Sequence, residues 1–158
     1  MDQPISELNE LLATMSPVQN PGCYVVTSTS DPASLTLQDV VSSIREPEGL
    51  SLIVCEQRAH ELGLPILFRC AWITLTVHSD LQAVGLTASF ARALADEGIP
   101  CNVVAGARHD HIFVPIANVA AAMDALKNLQ SRALRARHSK NDDIATRTEP
   151  APQGVPKR

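Results

Sequence analysis

Residues Phe68–Pro115, FRCAWITLTVHSDLQAVGLTASFARALADEGIPCNVVAGARHDHIFVP, decide the fold, because the hydrophobic period changes twice within them. FRCAWITLTVHS, rich in β-branched and aromatic residues, reads as one long strand. DLQAVGLTASFARALADEG is the strongest helical pattern in the chain, with Val84, Thr87, Ala88, Ala91, Leu94 and Ala95 along one stripe. Ser79 is placed to cap it, with Gln82 reaching back in a capping box. Gly98 ends the helix and Pro100 stops it from continuing. CNVVAG and HIFVP then read as two strands joined through ARHD as a hairpin. Asn118 is expected to cap VAAAMDALKNLQSRALRAR, with Val119, Met123, Leu126 and Leu129 or Gln130 turned inward. The order is β-α-β-β-α.

Upstream, ISELNELLATMSP carries Ile5, Leu8, Leu12 and Met15 on one helical face, and Ser16-Pro17 stops it. NPG is a turn. CYVVTSTS, DVVSSIRE and LSLIVC read as strands, and EQRAHELG as a short helix ending at Gly63. ELGLP at 61–65 and DEGIP at 96–100 echo one another. The echo agrees with two small α+β layers lying side by side.

The chain has 158 residues, 45% of them hydrophobic and 19% charged, which places it among soluble globular proteins. No apolar run nears the roughly 20 residues that span a bilayer. The acidic, polar start MDQPISELNE does not read as a secretory signal, so a cytoplasmic location is expected. Cys23, Cys55, Cys70 and Cys101 form no CxxC pair and read as small apolar fillers. Residues 1–126 carry a net charge of −9, whereas residues 127–158 carry +5. So acidic a body suits phosphate backbones poorly. The basic end, SKNDDIATRTEPAPQGVPKR, is polar and aperiodic, and a solvated tail is expected there.

The residues TVHS, AVGLTA, IPCNVVAG and HDHIFVP, together with LNELLATMSPVQNPGCYVV near the start, resemble the bacterial ACT-domain family of short proteins built from two ACT-like halves. The likeness covers about residues 5 to 130. It implies ferredoxin-like β-α-β-β-α-β layers that pair side by side and commonly bind amino acids. Two departures stand out. Ala107 and Arg108 occupy places where aromatic residues are frequent in the family, and Asp80 stands where Ser is usual.

Two places invite chemistry. At the junction His78-Ser79-Asp80 through Val84-Gly85-Leu86-Thr87, a helix start offers free amides and a positive dipole end to an anionic group. Gly85 permits close approach, Asp80 supplies a charge for an ammonium, and Asn102 on the next strand is expected nearby to offer an amide. The bland reading is a plain cap and a packing glycine. The resemblance implies ligand contact here, because ACT-domain ligands sit beside this junction. The second place is His109-Asp110-His111, where the histidines share one strand face and Asp110 takes the other. A metal would need further ligands, with His78 and Cys101 as the nearest helpers, so a structural or interface strand is favoured. A Ser79–His78–Asp110 hydrolase lacks a nucleophile elbow. An RNA-binding sheet would need aromatic stacking residues, and aromatics are only 3% of the chain.

The expected fold is α+β: two ferredoxin-like (ACT-like) βαββαβ units sharing antiparallel sheets with helices on one face, followed by a disordered tail. The units are expected at residues 1–68 and 69–133, and the tail at 134–158. The function expected is a non-catalytic regulatory protein that binds a small molecule, an amino acid by preference. It is expected to be homo-oligomeric, with no cofactor, no metal, no nucleic-acid partner and no membrane. The alternative is an interaction module without a ligand, and a metal-dependent enzyme ranks third.

Overall fold

The computed structural model describes residue 5, residues 7–32 and residues 34–147, the last eight of these by their backbone path alone. The elements run α1 (Leu8–Thr14), β1 (Pro17–Gln19), β2 (Tyr24–Thr29), β3 (Val40–Glu46), β4 (Gly49–Cys55), α2 (Glu56–Glu61), β5 (Phe68–Leu75), α3 (Leu86–Asp96), β6 (Asn102–Ala105), β7 (Asp110–Pro115) and α4 (Val119–Arg147). A single antiparallel sheet has the order β3-β4-β2-β5-β7-β6, with β1 also on β5.

The long strand β5 organises everything. Its first half pairs with β2, Tyr24 opposite Cys70, and its second half with β1, Val18 opposite Thr74. On its other side it pairs with β7, Trp72 opposite Phe113. The order β5-β2-β4-β3 is that of a ferredoxin-like layer, in which the final strand lies beside the first. The order β1-β5-β7-β6 is the same pattern again. β5 therefore closes the first unit and opens the second, and β1 fills the fourth-strand place of the second. In the first unit, residues 30–39 form a loop and turns where a layer of this type carries its first helix; residue 33 lies outside the described residues. An Arg58–Asp39 ion pair at 3.0 Å ties this loop to α2.

Alternation decides which face is covered. Ala71, Ile73 and Leu75 of β5 share one side with Ile112 and Val114 of β7, and α1, α3 and α4 bury that side. Phe90 and Leu94 of α3, Leu11 of α1, Met15 just after it, and Leu126 of α4 complete this core, all fully buried. The first unit has a much smaller core of Val25, Leu52, Val54 and Ala59. Seven residues of N-terminal helix thus serve the C-terminal core. The opposite face carries Tyr24, Trp72, His111 and Phe113 in ring contact.

Several expectations need correction. The helix expected from Asp80 begins only at Leu86, because the Asp80 carboxylate accepts the Gln82 amide at 2.9 Å and holds a turn instead. The capping box with Ser79 does not form. The inward stripe of α3 is Leu86, Phe90 and Leu94, while Val84 is 84% exposed. Asn118 belongs to a one-turn 3-10 helix, Ile116–Asn118, that runs directly into α4. Helix α4 itself continues to Arg147, past the expected start of the tail, and residues 148–158 lie outside the described residues. The ELGLP/DEGIP echo marks shared stop chemistry: Leu64 N–H bonds Ala59 C=O and Ile99 N–H bonds Leu94 C=O, both at 2.9 Å. These bonds close the second helix of one layer and the first of the other, so the echo does not align the two units.

Candidate functional site

The turn between β5 and α3 is built by the N-terminal segment as much as by itself. Ile5 donates its N–H to His78 C=O and accepts the N–H of Asp80, both at 2.9 Å. Asp80 C=O accepts from Ala83 N–H, which with the Gln82 bond closes a compact loop. The chain then passes Gly85, at φ +102°, into α3. No side chain caps the helix, and its first amides lack the intrahelical partners that later residues have.

A Cβ on Gly85 would lie 2.9 Å from Leu8 Cδ2. The close approach foreseen for a ligand is thus taken by a leucine of α1. In front of the helix start a notch of about 90 Å³ remains, lined by Ser79, Asp80, Leu81, Ala83, Leu86, Thr87, Ala105 and Asp110. Of the eight residues expected to form the site, Ser79, Asp80, Leu86 and Thr87 line this notch, and Gly85 adjoins it as the residue entering the helix. His78 and Val84 do not line it. Asn102 pairs with Phe113 at the far end of β6, three residues from Ala105, or about 10 Å along a strand. It lines a different hollow.

Asp110 is the residue missed. It shares strand parity with Ile112 and Val114, which puts a carboxylate on the buried side, and it is only 8% exposed. Burial pushes its acid constant up, while His111 and His109 pull it back. Among the described residues it accepts no hydrogen bond. The alternation of DHIFVP was the available signal: an acid in step with the apolar positions.

The neighbouring histidines serve other purposes. His111 Nδ1 accepts the Trp72 indole N–H at 3.0 Å, with the Thr74 hydroxyl at 3.2 Å and Asn20 bonded behind it. An acceptor Nδ1 requires the neutral ring with its proton on Nε2, and burial lowers the affinity of His111 for a second proton. His109 Nδ1 lies 3.0 Å from Val77 C=O. Among the described residues no three His, Cys, Asp or Glu side chains gather as metal ligands would.

The second hollow, about 460 Å³, opens on the face away from the helices. Val26, Ser42, Ile44 and Ile53 line it from one side, and Asn102, Val104 and Phe113 from the other. Residues from both ends of the sheet order meet there, so the sheet is strongly curled. None of its lining residues is Asp, Glu, Lys, Arg or His. It has room without charge; the notch has charge with little room.

Two ACT domain profiles match the chain, one over residues 3–71 and the other over 67–128. A Vibrio cholerae protein of unknown function, described as a possible transport protein, is 43% identical, with 78% of this chain and 95% of that one covered at a TM-score of 0.70. The chain belongs to the ACT-domain family. It carries two tandem ACT units, drawn into one sheet through β5. A protein from Agrobacterium tumefaciens, 18% identical over 73% of this chain and 89% of its own, has a TM-score of 0.54. The regulatory subunit of aspartate kinase from Thermus thermophilus, in its ligand-free form, is 11% identical with 75% and 97% covered and a TM-score of 0.55. At these identities the last two share the ACT fold. No curated protein sequence matches the chain significantly. No described helix is long and apolar enough to cross a membrane.

Proposed function

We propose that this ACT protein is a regulatory module without chemistry of its own, and that it binds an amino acid where β5 turns into α3. Its membership of a ligand-binding regulatory family supports the first part. One observation carries the second: the start of α3 has no side-chain cap and faces a notch that also holds the carboxylates of Asp80 and Asp110. Free amides at a helix start attract a carboxylate, and carboxylates attract an ammonium. The larger hollow offers no ionised partner to either end of a zwitterion.

Binding would act by favouring one arrangement of an interface over another. Strands β3 and β6 end the sheet order, and edges of this kind are commonly paired or covered. A cytoplasmic homo-oligomer is the assembly that fits this reading. Purified protein is to be screened against the twenty amino acids by thermal shift and calorimetry, and its mass followed by sedimentation. A rise in melting temperature with at least one amino acid is expected. Folded protein that responds to none of them refutes the reading.

A further inference from the structure

Apart from the amino-acid reading above, we propose that the outer part of α4 binds double-stranded DNA, lying in the major groove with arginines against both phosphate backbones. Between Asp124 and Asp142 the chain has no acidic residue, yet it has Lys127, Arg132, Arg135, Arg137 and Lys140. A solvated tail from residue 134 and no nucleic-acid partner are the expectations of the sequence, the second because residues 1–126 carry −9. The structure changes that premise. The cations ride on a helix that leaves the acidic body.

Leu129 is the last residue of α4 packed against the main core. From there to Arg147 the chain makes about 27 Å of helix, and residues 134–139 are all exposed. Lys127, Arg132, Arg135 and Arg137 are exposed as well, and among the described residues none of them forms an ion pair. Arg58, Arg69 and Arg92, by contrast, each sit against a carboxylate of the body. Arg132 and Arg135 stand three apart, where like charges on a helix repel. A polyanion relieves that repulsion, and no acid of the chain does.

The spread of charge around the helix decides which polyanion. At about 100° per residue, Arg137 lies roughly 140–160° around the axis from Arg132 and from Arg135. Positive charge therefore flanks the helix on two sides. A membrane-surface helix needs one apolar face instead, and residues 130–147 offer only Leu134 and Ile144 besides alanines. A flat acidic surface would meet one side alone. The major groove of B-form DNA is about 12 Å wide, admits an α-helix and has a phosphate backbone along each wall. Duplex RNA closes that route, since its major groove is deep and narrow.

Fluorescence anisotropy of a labelled DNA duplex of about 20 base pairs, titrated with the full chain, tests this. Half-saturation is expected below roughly 10⁻⁴ M at about 50 mM salt, weakening about 40-fold by about 200 mM, as three neutralised phosphates require. The triple variant Arg132→Gln/Arg135→Gln/Arg137→Gln is expected to weaken binding at least tenfold and to flatten the salt slope, with its melting temperature unchanged. Arg45→Gln, at an exposed arginine of the body without an ion pair, is expected to alter neither. Duplex DNA that stays free at that concentration overturns the proposal. Equal affinity for phosphatidylserine vesicles, for polyglutamate or for duplex RNA overturns it too, because charge without the groove would then suffice. A folded triple variant that binds as before overturns the assignment to α4. Should that variant unfold, the salt slope and the comparison of polyanions on the native chain decide.

Discussion

Replacing Gly85 by alanine tests the architecture of the turn, and the molecule supplies its own control. Gly85 sits at φ +102° and Gly22 at φ +94°, so both hold a backbone conformation that L side chains rarely adopt. A methyl at Gly22 meets nothing within 4 Å, whereas one at Gly85 falls 2.9 Å from Leu8 Cδ2. Left-handed backbone costs a non-glycine residue about 1–2 kcal/mol, and Gly22→Ala should lose that much alone. Gly85→Ala should lose it plus the cost of pushing Leu8 into a filled core, about 1 kcal/mol or more. For a chain of this length each kcal/mol lowers the melting temperature by about 2–4 °C. The second variant should therefore melt below the first by at least about 2–4 °C. Urea midpoints and scanning calorimetry on both variants supply the comparison. Adding Leu8→Ala should return the excess, giving a favourable coupling of about 1 kcal/mol in the double-mutant cycle, and none with Gly22→Ala. Equal losses at the two glycines, or no coupling to Leu8, would show that α1 does not close the turn from behind.

Other measurements address the sheet. Cys70 is fully buried and its thiol is pushed up to about 11 by burial, whereas Cys55 is exposed; a thiol reagent at pH 8 should label Cys55 promptly and Cys70 only as fast as the chain unfolds, and prompt labelling of Cys70 would contradict the packing. His111 takes its second proton less readily folded than unfolded, through burial and through His109, with Asp110 opposing. Stability should therefore be full above the ordinary imidazole value of 6.5 and fall as pH drops below it. Tryptophan fluorescence should report the loss of the Trp72–His111 bond, and His111→Gln should flatten the pH slope; an unchanged slope in that variant assigns it elsewhere.

Much of this is legible in the sequence. The long strand, the hairpin and the last helix follow from period, turn residues and stops that act within a few residues. What escaped was non-local. Pro17–Gln19 looks like the end of a helix, and only a partner more than fifty residues away, Ile73–Leu75, makes it a strand. The start of α3 was misplaced because Asp80 and Gly85 jointly divert five residues into a turn, although Ser79 and Gln82 have the right spacing for a cap. At the site, four of the eight expected residues line the notch and Asn102 does not, since strand polarity carries it to the far end of β6. The missing acid stood in plain sight at position 110, in step with Ile112 and Val114.

A strand held in common leaves no joint. Proteins with two modules on a tether can signal by swinging one against the other, but here one strand serves both halves, Phe68–Cys70 pairing with β2 of the first and Cys70–Leu75 with β7 of the second. Cutting the chain there would rob each half of a structural member, so neither fragment is expected to stand alone. On the regulatory reading, a change at the turn before α3 is expected to pass along this common strand to the rims of the sheet rather than through a hinge between the two units.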